Sequence, residues 1–413
     1  MTYDLTQLNN VKGHSFSGRW VKILISSVLF LGILPFDKAA LTLYSSESLG
    51  IVLSYVLCGV TLLLTIFLFV FNHNLKVDQT NKNLFVVGFL IIFGYVLSSI
   101  RNGFSLERIL SIACFLIYYL FSFFFFDDID DLILSIGISL AALIFFSFIL
   151  YLQNNYHVMY VASAYETNFK GIASNRNSFA ELALFDIVIF SYLLSKKKLF
   201  LFSILSIFLA IYGTFLTKGA TSIICCILLI IMLFFNKTLK KTVSYKFFVV
   251  FLFFSFIIIF LLKNIDALKP LYVFFNKSSS LTGRTDRWDY TASIVFNKPL
   301  FGYGYDFTIL LENGFVENDP HNGILYILLS QGFFGLVIFF YTLYMFMKKV
   351  VCFKRDILVR FLYIFMIVWS IRALVESGYS YTHFIFWICP LIFYKKGCIM
   401  RYYSEQRIED NVH

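Results

Sequence analysis

Residues 319–335 of this chain read Asp-Pro-His-Asn-Gly-Ile-Leu-Tyr-Ile-Leu-Leu-Ser-Gln-Gly-Phe-Phe-Gly, and apolar residues continue to 347. An apolar run of this length can cross a bilayer, so the stretch joins a polar segment to a membrane span. Asp319 is a good N-cap and Pro320 suits the first helical position, which predicts that a helix starts here with His321 in its first turn. The positive helix end disfavours imidazolium and attracts phosphate, so we predict a neutral His321 ring that can accept a proton.

A plainer interpretation of the same stretch is a helix cap with a lone polar ring at the membrane interface. Gly332 and Gly335 fall three to four turns further on, near the His321 face of the predicted helix. Small residues at such positions let membrane helices approach closely.

The rest of the chain has the composition of an integral membrane protein. Hydrophobic residues make up 59% of it and charged residues only 14%, and the mean hydropathy is +0.80. Apolar runs of about 16–24 residues recur throughout, the length needed to cross a hydrocarbon core. We therefore predict an all-α, polytopic fold that forms a single integral-membrane domain over residues 1–413. We place about twelve spans at residues 22–36, 48–71, 84–100, 106–126, 132–152, 179–195, 199–216, 220–235, 247–263, 323–347, 357–373 and 382–394.

Basic residues collect in alternate connections between these spans. They lie at residues 12–22, 76–82, 196–198, 237–246, 348–355 and 395–407. By the positive-inside rule these connections and both termini face the cytoplasm. The net charge of +10 then reports topology and does not indicate a nucleic-acid partner. No convincing cleavage site follows the first span, so we expect it to be retained.

Two long polar loops fall on the opposite, periplasmic side, at residues 153–178 and 264–322. The second lies between spans 9 and 10, and its apolar residues predict an ordered loop on the membrane surface. It contains Arg284 and Arg287, which share one face of a short predicted helix with Trp288 nearby. Paired guanidinium groups suit a di-anionic ligand, because their forks match phosphate oxygens. The alternative is an interfacial anchor, with Trp288 at the headgroup level.

Other charged residues fall at outer helix ends or inside spans. Lys218 and Arg176 lie at predicted outer turns, where each is a candidate ligand for an anion. Arg372 and Glu376 are four residues apart at a helix end, a spacing at which they can neutralise each other. No acidic cluster on the outer face indicates a divalent metal site, so we predict a metal-independent site without a cofactor.

One block of motifs resembles a known family. Residues 281–340 contain Gly283-Arg284 with Trp288, then Lys298-Pro299-Leu300-Phe301-Gly302-Tyr303-Gly304, then His321-Asn322 followed after nine residues by Gly332 and Gly335. As a set they resemble the O-antigen ligase/polymerase family of bacterial surface-polysaccharide enzymes. Asn175-Arg176-Asn177 is similar to an Asn-rich outer loop of that family. Lys218 stands where a Ser-Arg pair is usual, and a lysine lacks the bidentate fork of arginine.

The resemblance implies an activity and a compartment. The donor would be a glycan linked through pyrophosphate to a polyprenol in the outer leaflet of the cytoplasmic (inner) membrane. The enzyme would move the glycan to an acceptor hydroxyl, as in lipopolysaccharide biosynthesis, and release polyprenyl pyrophosphate. His321 would be the general base. Pyrophosphate or other parts of the substrate would be bound by Arg284, Arg287, Lys218, Arg176 and Asn322.

Four functions remain open at this point. A ligase would use lipid A–core as the acceptor, and we favour it because of the His-Asn and paired-glycine spacing. A polymerase would use another lipid-linked repeat, and a related enzyme would use a protein. A flippase or transporter is the fourth, but we see no internal repeat of the kind transporters show.

Overall fold

A computed structural model shows a mostly helical protein. It describes residues 16–33, 128–155, 158–163, 166–173, 175–262, 284–304, 307–315, 319–379 and 385–397, together with residues 93, 118 and 126. The predicted spans 48–71, 84–100 and 106–126 lie outside this part of the chain, apart from those three single residues. The count of twelve spans therefore stays a prediction.

The described helices follow the predicted apolar runs. They are α1 (Phe16–Ile33), α2 (Ile129–Leu152), α3 (Arg176–Ser195), α4 (Phe200–Leu216), α5 (Ala220–Phe234), α6 (Tyr245–Leu262), α7 (Arg284–Val295), the short α8 (Ile309–Glu312), α9 (Gly323–Met347), α10 (Ile357–Ala373) and α11 (385–397). Three helical stretches are long and apolar enough to cross a membrane, namely Ile129–Leu152, Arg176–Ser195 and Gly323–Phe353. By length and composition, the described part of the chain thus supports a polytopic membrane protein.

Polar side chains join helices inside the bundle. Ser26 and Ser27 of α1 face Ser135 and Ser139 of α2, and their hydroxyl groups bond to one another and to backbone carbonyls across the pair. Such bonds between small residues hold membrane helices together where the hydrophobic effect cannot. Helix α3 is buried along most of its length, whereas α4, α5 and α6 expose rows of large apolar side chains. Those rows are the surface we expect lipid to cover.

The all-α prediction misses a short β-hairpin in the loop after α2. Strands β1 (Met159–Ser163) and β2 (Glu166–Phe169) pair antiparallel. Phe169 fixes the hairpin to the helix ends, because its ring lies within 5.3 Å of three other rings, those of Phe148, Tyr151 and Phe179. The loop at residues 153–178 therefore has structure of its own in its described part.

Helix α9 is interrupted at Gly332, where φ is 66° and ψ is −162°. The break frees two carbonyl groups before it and two N–H groups after it. The turn at residues 299–304 bonds to all four, through Tyr303 N to Leu329 O (2.7 Å), Gly304 N to Ser330 O (2.9 Å), Phe333 N to Pro299 O (2.7 Å) and Phe334 N to Leu300 O (3.1 Å). Non-helical backbone is tolerated at membrane depth only when it is satisfied within the protein. The glycine motifs around residues 302 and 332 thus build one joint.

This joint predicts that Gly332→Ala destabilises the protein. A Cβ at Gly332 would lie 2.5 Å from the backbone of both Pro299 and Leu300, and φ would stay in the left-handed region. We expect a loss of at least about 2 kcal/mol, because backbone strain of about 1–2 adds to overpacking of about 1–3. Thermal unfolding in detergent and the protein level in membranes measure it.

Gly314→Ala is the matched control for backbone strain. Gly314 also has positive φ (83°), but a Cβ there would meet nothing within 4 Å. Gly314→Ala should therefore show the effect of backbone strain alone. If Gly332→Ala and Gly314→Ala proteins are equally stable, the close packing of the turn at residues 299–304 against Gly332 does not contribute to stability.

Candidate active site

Several chain segments meet at one end of the helical bundle, which we call the site end. Short connections on either side of α4 make α3, α4 and α5 antiparallel neighbours, so the start of α3 and the turn between α4 and α5 lie at the same end. The end of α10 joins them, because Arg372 Nη2 donates to Asn177 O at 3.1 Å. The start of α9 joins them too, because Asn322 Nδ2 donates to Leu374 O at 2.9 Å.

Residues 319–322, which we call the histidine segment, lie between α7 and the turn that follows α10. On the α7 side, Arg287 Nη1 donates to Asp319 O and Trp288 Nε1 donates to Pro320 O, each at 2.8 Å. Trp288 is fully buried, so it is not an anchor among lipid headgroups. Together with Asn322, these bonds fix the histidine segment from both sides.

Helix α9 begins later than predicted, at Gly323, with Asn322 as its N-cap. Asn322 Oδ1 accepts hydrogen bonds from the backbone N–H groups two and three residues on, at 3.1 and 3.0 Å. The prediction that Asp319 and Pro320 start the helix is wrong, because Asp319 Oδ1 instead accepts from His321 N at 2.6 Å and closes a turn. His321 therefore precedes the cap, with a left-handed φ of 50°. Such strain costs about 1–3 kcal/mol, and it persists where the surroundings over-determine it.

Glu376, in the turn after α10, links three parts of the site. Its Oε1 accepts from Arg284 Nη2 at 2.8 Å and from Asn177 Nδ2 at 3.1 Å. Its Oε2 lies 3.3 Å from His321 Nδ1. One carboxylate thus joins α3, α7 and the histidine segment.

The charge state of Glu376 follows from these contacts. Burial alone would raise the pKa of this carboxyl group, but its contact with His321 and the positive charges of Arg284 and Arg372 outweigh burial and lower the pKa to about 2. Glu376 is therefore ionised at any pH near neutrality. It places a fixed negative charge beside the imidazole.

Arg372 bonds to a different carboxylate from the one its spacing indicates. Its Nη1 donates to Glu181 Oε1 of α3, and both side chains are buried. A spacing of four residues predicts that Arg372 and Glu376 neutralise each other, whereas the structure gives them separate bonded partners. Sequence reasoning therefore missed Glu376 as a site residue, although an acid just beyond a span was a usable signal.

The structure brings four of the six predicted site residues into contact with one network. Arg284 bonds to Glu376. The histidine segment is held by Arg287 on one side and by Asn322 on the other. His321, within that segment, contacts Glu376. Both polar atoms of the Asn322 side chain bond to backbone groups, so its observed contacts are structural.

The two other predicted residues, Arg176 and Lys218, lie at the site end. Arg176 is the first residue of α3, next to Asn177, and is half-buried. Lys218 is exposed in the turn between α4 and α5, with a φ of 52°. No group of three or more His, Cys, Asp or Glu side chains that could hold a metal occurs among the described residues. Metal independence remains a prediction.

Part of this chain is similar to a known protein family. A family model described as O-antigen ligase matches residues 201–340, which include α7, the histidine segment and the interrupted part of α9. The matched stretch is similar to the O-antigen ligase family. The resemblance predicted from the sequence motifs is confirmed. That similarity indicates a glycosyltransferase-like enzyme.

A curated relative extends the similarity beyond the matched domain. A ComP-specific O-oligosaccharyltransferase from Acinetobacter baylyi (strain ATCC 33305 / BD413 / ADP1) is 25% identical over 422 residues. The alignment covers 94% of this chain and 72% of the relative.

Proposed function

We propose that this protein transfers a glycan from a polyprenyl-pyrophosphate carrier to an acceptor hydroxyl at the outer face of the cytoplasmic membrane. The observation that supports it most is the 3.3 Å contact between His321 Nδ1 and the ionised carboxylate of Glu376, with Arg284 bonded to the same carboxylate. A proton acceptor and a cation thus lie side by side at the site end. This is what attack by a hydroxyl and departure of an anion require.

His321 is the general base in this proposal. The carboxylate of Glu376 beside Nδ1 favours the tautomer with its proton on Nδ1, which leaves Nε2 as the nitrogen that removes the proton from the acceptor hydroxyl. The carboxylate then lies beside the imidazolium that forms and stabilises its charge, as the buried carboxylate of a serine-protease triad does. Glu376 itself stays ionised throughout, in accord with its low pKa.

The bond that breaks joins the anomeric carbon of the glycan to a pyrophosphate oxygen. The acceptor oxygen forms the new bond to that carbon, and the electron pair of the broken bond leaves with the polyprenyl pyrophosphate. We assign the negative leaving group to Arg284, with Arg176 and Lys218 at the same end of the bundle as further cations. Arg287 acts through the histidine segment that it holds, so we propose it as a positioning residue.

Three acceptors are candidates. The family model favours lipid A–core, the acceptor of an O-antigen ligase in lipopolysaccharide biosynthesis. The relative named as a ComP-specific O-oligosaccharyltransferase matches nearly the whole chain and favours a protein hydroxyl. A polymerase that uses a second lipid-linked repeat shares the same donor and site.

Purified protein tests the proposal directly. Incubated with a polyprenyl-pyrophosphate-linked glycan and lipid A–core, it should release polyprenyl pyrophosphate and lengthen the acceptor, and it should do so in the presence of a chelator. Replacing lipid A–core with a hydroxyl-bearing protein or with more donor separates the three acceptors. Release of no polyprenyl pyrophosphate with any of them would overturn the proposal.

Arg284→Ala should lower the transfer rate by on the order of 10²-fold, as loss of one donor to a developing negative charge does. Arg284→Lys should recover part of the rate, because the charge remains while the planar fork is lost. Initial rates of polyprenyl pyrophosphate release measure both variants.

Arg360→Ala is the matched control for the loss of one arginine. Arg360 lies near the start of α10, at the other end of the bundle, where its Nε bonds to Asn236. Its rate should stay within about threefold of the wild type, the spread expected of a context-dependent single contact. Equal losses in the two alanine variants would rule out a specific role for Arg284.

A further inference from the structure

A basic cleft lies at the end of the bundle opposite the site end. It is formed by two connections that are far apart in the sequence, between α5 and α6 and between α9 and α10. Its volume is about 570 Å³. Five of its six lining residues are cations, namely Lys237, Lys240, Lys241, Lys354 and Arg355, and the sixth is Thr238.

The backbone under the cleft is held in place by α10. The Tyr363 hydroxyl donates to the carbonyl groups of Thr242 and Ser244, each at 2.9 Å. Arg360 Nε donates to Asn236 Oδ1 at 3.2 Å. The α5–α6 connection is therefore fixed onto α10 before any ligand arrives, so the cations are brought together by the fold.

No carboxylate lines the cleft. The neighbouring acid, Asp356, caps α10 through Val359 N and pairs with Lys396. Elsewhere at this end of the bundle, among the described residues, Lys198 pairs with Asp130 and Arg19 pairs with Asp131. The cleft thus concentrates positive charge that an anion can neutralise.

Exposed apolar side chains lie close in the sequence to the residues that line the cleft. Phe234 and Phe235, which directly precede the α5–α6 connection, are 80% and 53% exposed. Val351, in the other connection, is 43% exposed. A ligand with anionic oxygens next to hydrocarbon chains matches both surfaces.

We propose that this cleft binds the phosphate headgroup of an anionic phospholipid from the leaflet at that end of the bundle, with its acyl chains against Phe234 and Phe235. Basic pockets between membrane helices bind such headgroups through clustered lysine and arginine side chains. The site is separate from the one proposed for the glycan donor.

Binding of a tail-labelled phosphatidylglycerol to the purified full-length protein in neutral detergent tests the proposal. The double variant K240Q/K241Q should weaken binding about 25-fold, because each cation near an anionic lipid contributes about fivefold. The control variant K196Q/K197Q removes the same charge from another connection at the same end, outside the cleft lining, and should bind as the wild type does. Thermal unfolding midpoints check that each variant is folded, and K354Q/R355Q replaces the first variant if it is not.

Competition identifies the ligand chemistry. Unlabelled phosphatidylglycerol should displace the label, whereas phosphatidylcholine with the same tails and inorganic phosphate at equal concentration should not. Displacement by inorganic phosphate would make the cleft a free-phosphate site, and equal displacement by phosphatidylcholine would make it a site for tails alone. An equal loss in K196Q/K197Q would reduce it to diffuse surface charge. Each of these three results overturns the proposal.

Discussion

His321→Ala should lower the rate of glycan transfer by about 10²–10⁴-fold, the range expected when a positioned proton acceptor is removed. His321 is the ring beside the ionised Glu376, and the segment that carries it is bonded on both sides. Single-turnover release of polyprenyl pyrophosphate by purified protein measures the loss. Binding of the donor should change much less, because the cations proposed to hold pyrophosphate remain.

A second variant, Glu376→Gln, tests whether His321 acts as a base or has only a structural role. Glu376→Gln keeps the size of the side chain but removes the negative charge 3.3 Å from the imidazole. A carboxylate favours the protonated imidazole, so removing the charge of Glu376 should move the acid limb of the pH–rate profile to lower pH. We also expect Glu376→Gln to slow the reaction less than His321→Ala does. The limb cannot arise from Glu376 itself, whose pKa is about 2.

Two results would contradict the role of His321 as a base. One is near-normal turnover by a folded His321→Ala protein. The other is a rate profile of Glu376→Gln that falls uniformly at every pH without moving its acid limb, since that would indicate a purely structural contact. Thermal unfolding of each variant in detergent shows whether the lost activity reflects lost folding.

The positions of the helices were predictable because apolar runs of membrane length have few alternatives. Predicted spans starting at residues 220 and 357 begin at those residues in the structure, and those predicted at 132 and 179 begin three residues earlier, at Ile129 and Arg176. In hydrocarbon the backbone must satisfy its own hydrogen bonds, which leaves a helix as the outcome for an apolar run. Hydropathy alone therefore determines these elements.

The site was less predictable because several residues have more than one possible partner or role, and the sequence does not show which one the fold selects. Asp319 and Asn322 are both good N-caps three residues apart, and only the packing of α7 against the histidine segment decides between them. Gly332 fits either a close helix contact or a helix break, and the partner turn at 299–304 is thirty residues away in the sequence. Arg372 precedes Glu376 by one helical turn, so the sequence predicted an ion pair between these two residues and did not indicate the contact of Glu376 with His321. Local patterns cannot rank such long-range pairings.

Arg372→Met should destabilise the protein by about 3–5 kcal/mol, the usual cost of removing one partner of a buried ion pair. Arg372 is 1% exposed and donates to Glu181, which is also buried, and to the backbone of Asn177. Its loss leaves the Glu181 carboxylate without its bonded cation inside the bundle, at the base of the site. Chemical denaturation in detergent micelles measures the loss.

The exposed pair at the other end of the bundle is the matched control. Arg19 bonds to Asp131 with 45% of its side chain exposed, so Arg19→Met should cost less than about 1 kcal/mol. The double variant Arg372→Met/Glu181→Gln should recover much of the stability, because it removes the unpaired charge along with its partner. If Arg372→Met costs no more than Arg19→Met, or if the double variant is less stable than the single one, the Arg372–Glu181 pair does not hold α10 against α3. The site end would then be held mainly by the bonds of the histidine segment.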